Sequence, residues 1–425
     1  MRIIEGVGFA ARAGALWKKR NFLMLQGVCS PFFARLAARL EAEGHRVFKI
    51  NFNAGDAAYW RGRRALSFRE PVEHLPAYLA EQYRKLDITD QIMFGDCRPV
   101  HRPAVIGAEA RQIRNHVFEE GYFRPQWVTL ERSGVNAHSL LPRDPAWYLA
   151  SASRLPALKK RTAFAAPFSL RALHDVLYHA ASLPNPLLYP GYTTHAPINA
   201  AWQYAGYLKR LPLLRLYHQR RDARVLHELA RQQGKVFLLP LQLDGDAQIQ
   251  VHSDFAGMQD VMRRVMRSFA VHAPADAHLL IKNHPLDTGL TDHGARARSL
   301  ARELGIRRRV HFVETGDLTD ILKFTAATVT VNSTVGSVAL AAGNPTIALA
   351  DAIYDLPGLT FQNDLDDFWH AGEAPDETLY RAFRKTVIHA TQIHGGLYSG
   401  EGIAFAVENA LPRLVCERSP LDVLG

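Results

Sequence analysis

From Asn21 onward, short apolar runs alternate with longer amphipathic stretches, the pattern that a string of βαβ units leaves in a sequence. FLMLQG (22–27), RVFKINF (46–52), QIMFGD (91–96) and HVFEEG (116–121) read as strands. The stretches Pro31 to Glu43, Pro71 to Leu86 and Ala104 to Arg114 read as the intervening helices, with a proline near the first turn of the first. Four such strands make one Rossmann-like half. Each ends on a polar residue beside glycine: Gln26-Gly27, Asn53 to Asp56 around Gly55, Gly95-Asp96 and Glu120-Gly121. In open parallel sheets, ligands bind outside the carboxyl ends of the strands, so these polar ends mark the first place to look for chemistry.

The middle third, 142–234, carries few strand signals and many Leu, Ala, Tyr and Arg residues, with loop punctuation in LPNPLLYPGYTTHAP (183–197). It reads as a helical connecting region. At Lys235 the alternation resumes with strands KVFLLP (235–240), HLLIKN (278–283), VHFVE (310–314), TVTVN (328–332) and PTIALA (345–350). Helices are expected over Met258 to His272, Gly294 to Leu304, Leu318 to Phe324 and Val335 to Ala342. The expected organisation is a Rossmann-like lobe over 1–141, the helical region, a second Rossmann-like lobe over 235–374, and helices over 375–425 that return to the first lobe. Two such lobes across a central cleft occur in glycosyltransferases, epimerases and binding proteins alike, so the fold leaves function open.

Composition narrows the class. Apolar residues at 48% and charged residues at 22% match an ordinary soluble globular chain. Cys29, Cys97 and Cys416 are odd in number, far apart and without zinc-finger spacing, which points away from disulfides and structural zinc and towards a reducing compartment. The most apolar window, Ala326 to Ala350, is broken by Asn332, Ser333, Gly336 and Asn344, so no bilayer span of about 18 residues is expected. In the N-terminal MRIIEGVGFAARAGALWKKR the basic cluster follows the apolar part, the reverse of a signal peptide. A cytoplasmic protein is expected, and its net charge of +10 suggests an anionic partner.

Four stretches offer chemistry. A carboxylate of the pair Glu119/Glu120 suits a nucleophile or base beside a sugar's anomeric carbon, where negative charge stabilises an oxocarbenium-like transition state. Strand alternation sends only one of the two towards a ligand, and the other would support it. Arg124 would help keep such a group ionised; the alternative is a structural ion pair with Arg124 or Arg114. In IKNHP (281–285), Lys282 and His284 would share one side of a strand end and meet one anion, with His284 able to donate a proton. In VNSTVGSVALAAGNP (331–345), Asn332, Ser333 and Thr334 fall where a strand meets a helix, which makes either a phosphate site or a simple cap. In FGDCRPVHRPA (94–104), Asp96, Arg98, His101 and Arg102 cluster at a strand end, and Gln26 and Asp56 occupy comparable places as supports.

Elsewhere Asp244, Asp246 and Asp254 lack calcium-loop spacing and read as a ligand-lining loop. YLKRLPLLRLYHQRRDARVLHELARQ (207–232) combines Lys209, Arg210, Arg215, Arg220, Arg221 and Arg224 with leucines, which suits either a solvated face or an anionic membrane or polymer. No Walker A loop, GxGxxG or nucleic-acid module is present.

Taken together, LQGVCSPFF (25–33), FNAGDAAYW (52–60), FGDCRPVHRPA, FEEGYFRPQWVTLERSGVN (118–136), KNHP and VNSTVG resemble the KpsS-type capsule polysaccharide proteins, β-Kdo transferases of Gram-negative capsule assembly. The resemblance implies a GT-B-like, retaining glycosyltransferase without a tightly bound cofactor, which transfers β-Kdo from CMP-Kdo to lyso-phosphatidylglycerol or a related anionic lipid. The expected place is the cytoplasmic face of the inner membrane, alongside other capsule-assembly proteins. Laid on the family's EDGF-like motif, the nucleophile falls on Glu120, with Glu substituting for Asp. Asp96 is the reserve candidate, His101 joins it near the acceptor, and Glu119 supports. Lys282, His284, Ser333 and Thr334, with Asn332, would hold the CMP-sugar, and no metal is implied. A noncatalytic capsule assembly or export accessory protein is the second reading, and a sugar-nucleotide epimerase the third.

Overall fold

The computed structural model describes residues 18–194, 200–232 and 235–425. Most of the N-terminal stretch read against a signal peptide, the end of the 183–197 loop and Gly234 lie outside the described residues. The strands are β1 (Asn21–Met24), β2 (Arg46–Asn51), β3 (Leu66–Ser67), β4 (Asp90–Phe94), β5 (Arg114–Glu120), β6 (Trp127–Arg132), β7 (Val236–Pro240), β8 (His278–Lys282), β9 (Val310–Val313), β10 (Thr325–Thr330), β11 (Thr346–Ala348) and β12 (Gln392–His394). They form a seven-stranded sheet of order β12-β6-β5-β4-β1-β2-β3 and a five-stranded sheet of order β11-β10-β7-β8-β9.

Chain compactness divides the molecule into two units. The first comprises Met1–Pro142, Ala150–His195 and Arg384–Gly425, and the second Arg143–Leu149 and Ala196–Phe383. The expected connecting region is helical, but it is no separate body. Its first half, with helix Phe168–Ala181, belongs to the first unit, and its second half, with helices Ala200–Leu213 and Gln219–Leu229, to the second. The physical reason is burial: these helices cover strand ends of their own sheet.

In the first sheet β1 pairs in parallel with β2 and β4, β2 with β3, and β4 with β5. Strands 3-2-1-4-5 therefore follow the Rossmann order, and the chain reverses direction across the sheet between β1 and β4. The second sheet is parallel throughout and repeats that order as β9-β8-β7-β10-β11. All nine strands expected from the sequence are present. β6, β12, β3 and the short helix Ala54–Trp60 are additional. β6 runs antiparallel to β5 and β12 antiparallel to β6, an extension that follows from WVTLER having alternating Val128 and Leu130 side chains to bury.

Both faces of the first sheet are covered, which explains why FLML is apolar without interruption. Phe22 and Met24 join Ile92, Phe118 and helices Phe32–Ala42 and Gly400–Val415 in one core. Leu23, Met93 and Val117 join Leu79 and Val105 in the other. The C-terminal helix thus forms part of the first unit's core, each buried leucine or isoleucine contributing about 1.5–3 kcal/mol.

Two buried charges at strand ends of the first unit are matched by partners. At the start of β4, Asp90 is met by Arg20, Arg114 and His116. At the end of β2, the buried Lys49 amine contacts Asp56 and donates to the carbonyls of Leu25, at 3.2 Å, and Ile50, at 2.7 Å. Asp56 also lies 3.4 Å from the Gly27 amide, so it ties β1, β2 and the Ala54–Trp60 helix together. Because loss of one partner strands a buried charge, Asp56→Ala should destabilise the first unit by about 3–5 kcal/mol in urea unfolding. Adding Lys49→Met should recover part of that loss.

Candidate active site

Residues 117–120 alternate across the sheet as a strand requires: Val117 enters one core and Phe118 the other. Glu119 follows Val117, and Glu120 follows Phe118. The adjacent carboxylates consequently meet different surroundings. Gly121 ends the run because a Cβ there would stand 2.0 Å from the Trp127 carbonyl oxygen, so the return into β6 leaves no room for a side chain.

Glu120 is held from two sides. The Tyr398 hydroxyl donates to its Oε1 at 3.0 Å, and Arg171 approaches the same oxygen at 3.3 Å. Tyr398 precedes the C-terminal helix, and Arg171 lies in helix Phe168–Ala181, with its guanidinium 5.2 Å from the Tyr398 ring centre. Glu119 points towards the β4 end, where a Cβ at Gly95 would be 3.2 Å from its Oε2. Burial pushes the Glu119 carboxyl up to about 7; its bond from the Glu120 amide and the charges of Arg98 and Arg124 oppose this, while Glu120 adds to it. One carboxylate is paired with a cation, and its neighbour titrates near neutrality.

The expected ion pairs are corrected. Arg114 sits at the opposite end of β5 and pairs with Asp90. Arg124 is exposed and acts on Glu119 only through space. The cation for Glu120 is Arg171, more than forty positions along the chain, which nothing in the local sequence signals.

Asp96, at the end of β4, is buried, and its Oδ2 lies 2.6 Å from His138 Nδ1. His138 is carried by the loop after β6. That loop is pinned by Tyr122, whose hydroxyl donates to Glu131 at 2.6 Å and accepts from the Asn136 amide at 2.8 Å. The tail of the FEEGYFRPQWVTLERSGVN motif therefore serves to deliver His138 to Asp96. Cys97 Sγ lies 3.7 Å from the same His138 nitrogen, but burial and Asp96 drive its thiol far above the ordinary value, which disfavours a thiolate nucleophile. His101 is fully buried. Its Nδ1 donates to the Gly95 carbonyl at 2.6 Å, so this ring braces the β4 turn, which corrects its expected place near an acceptor.

Gln26 donates to the hydroxyls of Tyr178, at 2.8 Å, and Tyr192, at 3.0 Å, and Asn53 also donates to Tyr178. Arg98 donates to the Gly27 carbonyl at 3.1 Å. Asp56, expected as a supporting residue, is occupied by Lys49. Helix Phe168–Ala181 thus spreads Arg171, His174 and Tyr178 over the strand ends, His174 by 2.8 Å contact with Tyr59. Its approach requires Gly55 of the FNAGD motif, where a Cβ would stand 2.4 Å from Ser182 Oγ.

In the second unit Lys282 ends β8 and is buried, its amine 3.4 Å from the Asn283 carbonyl. Burial, then Arg210, pull its pKa below the usual lysine value. His284 lies beyond the strand, so strand alternation does not pair it with Lys282. Its Nδ1 accepts the Leu286 amide at 3.1 Å, which places the proton of the neutral ring on Nε2. The KNHP turn is fixed by Arg210, which pairs with Glu314 at 2.8 Å and donates to the Pro285 and Asp287 carbonyls, while Asn283 reaches the same Glu314 at 2.9 Å. Arg210 is therefore a buried brace and not part of a basic surface stripe, and Arg221 pairs with the buried Asp222.

Asn332 is spent on structure, donating to the Gln248 and His252 carbonyls and accepting from Gln242 at 3.1 Å. Ser333 caps helix Thr334–Ala341 through the Val335 amide, and Thr334 is exposed at its first position. In the loop read as ligand-lining, Asp244 accepts the Met258 amide and Asp246 caps a short helix, so both serve local structure.

Residues 89–398 match the family model described as capsule polysaccharide biosynthesis protein. The sequence is 37% identical over 388 residues to the capsule polysaccharide modification protein LipB of Neisseria meningitidis serogroup B, covering 89% of this chain and 92% of that one. It is 33% identical over 384 residues to the capsule polysaccharide export protein KpsS of Escherichia coli, covering 89% and 97%. Among solved structures, the KpsC β-Kdo 2,7 transferase of Thermosulfurimonas dismutans aligns over 92% of this chain and 99% of its own, at 13% identity and a TM-score of 0.44.

The raised Glu119 value has a consequence for stability. Between the ordinary carboxylate value of 4.5 and about 7 the folded chain holds a proton that the unfolded chain has lost. The contribution of neutral Glu119 is complete below 4.5 and is lost as pH rises through about 7. Glu119→Gln should therefore gain stability relative to the parent between about pH 5 and about pH 8, measured by urea unfolding at each pH. An unchanged difference across that range would refute a buried, neutral Glu119.

Proposed function

Because this chain belongs to the capsule polysaccharide biosynthesis protein family, we propose that it is a retaining glycosyltransferase that moves β-Kdo from CMP-Kdo to a lyso-phosphatidylglycerol acceptor. The observation that carries this reading is the Glu120 carboxylate at the end of β5, clamped by Arg171 and Tyr398. In the first step the Glu120 carboxylate forms a bond to the anomeric carbon, and the bond to CMP breaks with its electron pair leaving on the phosphate. In the second, the acceptor hydroxyl attacks the same carbon, the bond to Glu120 breaks, and the hydroxyl proton passes to solvent. Arg171 pairs with Glu120 and Tyr398 fixes its direction. The Asp96–His138 pair is a second proton-handling group on the same sheet edge.

Support for an anionic donor comes from the second unit. Lys282 presents a buried amine with one long hydrogen bond, His284 carries its proton on Nε2, and the Ser333-capped helix starts in the same motif set. The choice of Kdo and of CMP rests on the motif resemblance. Among the described residues no helix is long and apolar enough to cross a membrane. The proposed site of action is the inner face of the cytoplasmic membrane.

Purified protein incubated with CMP-Kdo and lyso-phosphatidylglycerol should release CMP and form a Kdo-lipid; absence of both sinks the proposal. Glu120→Gln should reduce transfer by at least about a thousandfold while donor affinity stays within about twofold. Near-parental turnover would remove the nucleophile assignment, and it would favour an accessory role in capsule assembly. Lys282→Met should weaken CMP-Kdo binding by about 10- to 150-fold in calorimetry, the loss expected for one charge-assisted hydrogen bond.

A further inference from the structure

Helix Phe168–Ala181 is inverted relative to an ordinary surface helix. Its polar and aromatic side chains Arg171, His174 and Tyr178 face the sheet edge and make the contacts described above. Leu173, Val176 and Leu177 occupy the other side and are 52%, 47% and 51% exposed. Positions three and four apart lie on one helix face, so these three make a continuous apolar stripe. The stripe continues past the helix end through Leu183 and Leu187, at 79% and 87% exposure. A soluble helix normally buries its apolar side, and a contiguous exposed patch marks a surface with a partner. The segment leading into the helix carries Lys159, Lys160 and Arg161, all exposed.

We infer that the surface formed by the outer face of this helix and the following 183–187 turn inserts shallowly into an anionic phospholipid surface, with the Lys159–Arg161 cluster meeting its headgroups. Exposed leucines with a basic run before them in the chain are a combination that suits an anionic interface, since apolar area enters the acyl boundary while cations stay with phosphate. A second copy of the chain would satisfy the leucines but would bring two like-charged basic clusters together. In the 207–232 stripe suggested by sequence, Arg210 is buried and Arg221 is paired, while Lys209, Arg215, Arg220 and Arg224 remain exposed. One helix then has its inner face on Glu120 and its outer face on the lipid, about one helix diameter apart, roughly 10 Å. The inference rests on the proposed reaction only for the lipid nature of the acceptor.

The test uses the full chain and sedimentation with vesicles of equal parts phosphatidylglycerol and phosphatidylcholine, against phosphatidylcholine alone. The parent protein should bind the anionic vesicles at least tenfold more tightly. The variant Leu177→Ser/Leu183→Ser/Leu187→Ser and the variant Lys159→Glu/Lys160→Glu should each lose at least tenfold of that binding with an unchanged melting temperature. Transfer to detergent-dispersed acceptor should remain within twofold of the parent in both. Equal binding to the two vesicle types, or unchanged binding by the leucine variant, overturns the inference. So does light scattering that shows a dimer split by the same leucine substitutions. If the parent binds anionic vesicles as described but transfers nothing in detergent, the transferase reading fails and the membrane surface stands.

Discussion

The two-residue period of β5 is the constraint on which the site depends. A strand cannot send adjacent side chains to the same face, so Glu119 and Glu120 are separated by the sheet itself although they are neighbours in the chain. Glu120 emerges on the face covered by helices Phe32–Ala42 and Gly400–Val415, where Tyr398 and Arg171 meet it. Glu119 emerges towards the β4 turn, where burial outweighs the distant arginines and raises its pKa. Two identical side chains acquire different surroundings without any difference in their own chemistry. A shift of one residue in β5 would exchange their environments.

The rest of the first unit keeps that arrangement rigid. Two buried charges of the first unit are neutralised within the structure, Asp90 by Arg20, Arg114 and His116 and Asp56 by Lys49. The second unit follows the same logic, with Arg210 and Asn283 sharing Glu314 to fix the turn after β8. Lys282 is the exception there, buried with one long hydrogen bond, and such an amine gains most from an arriving anion.

Much of this was legible in the sequence because it is local. Alternating apolar runs marked all nine parallel-sheet strands assigned to the two Rossmann-like halves, and the polar residue beside glycine marked the carboxyl ends of the four in the first half. The EEG, KNHP and NST stretches fall at strand ends as expected. What was not legible depends on distance along the chain. Arg171, Tyr398, His138 and Arg210 act on residues far from them in sequence, and each looks like an ordinary surface residue in its own neighbourhood. His101 and Asn332 misled for the opposite reason: their positions beside a site are real, but their hydrogen bonds are committed to backbone carbonyls.

The route of the chain adds a temporal dimension to the clamp on Glu120. The carboxylate is made early, Arg171 follows in the helix after the first sheet, and Tyr398 arrives only after the chain has built the whole second unit and come back as β12. During synthesis the nascent first unit therefore has its central strands and its carboxylates long before it has the tyrosine that orients one of them. The clamp on Glu120 is completed only at the return of the chain to the first unit.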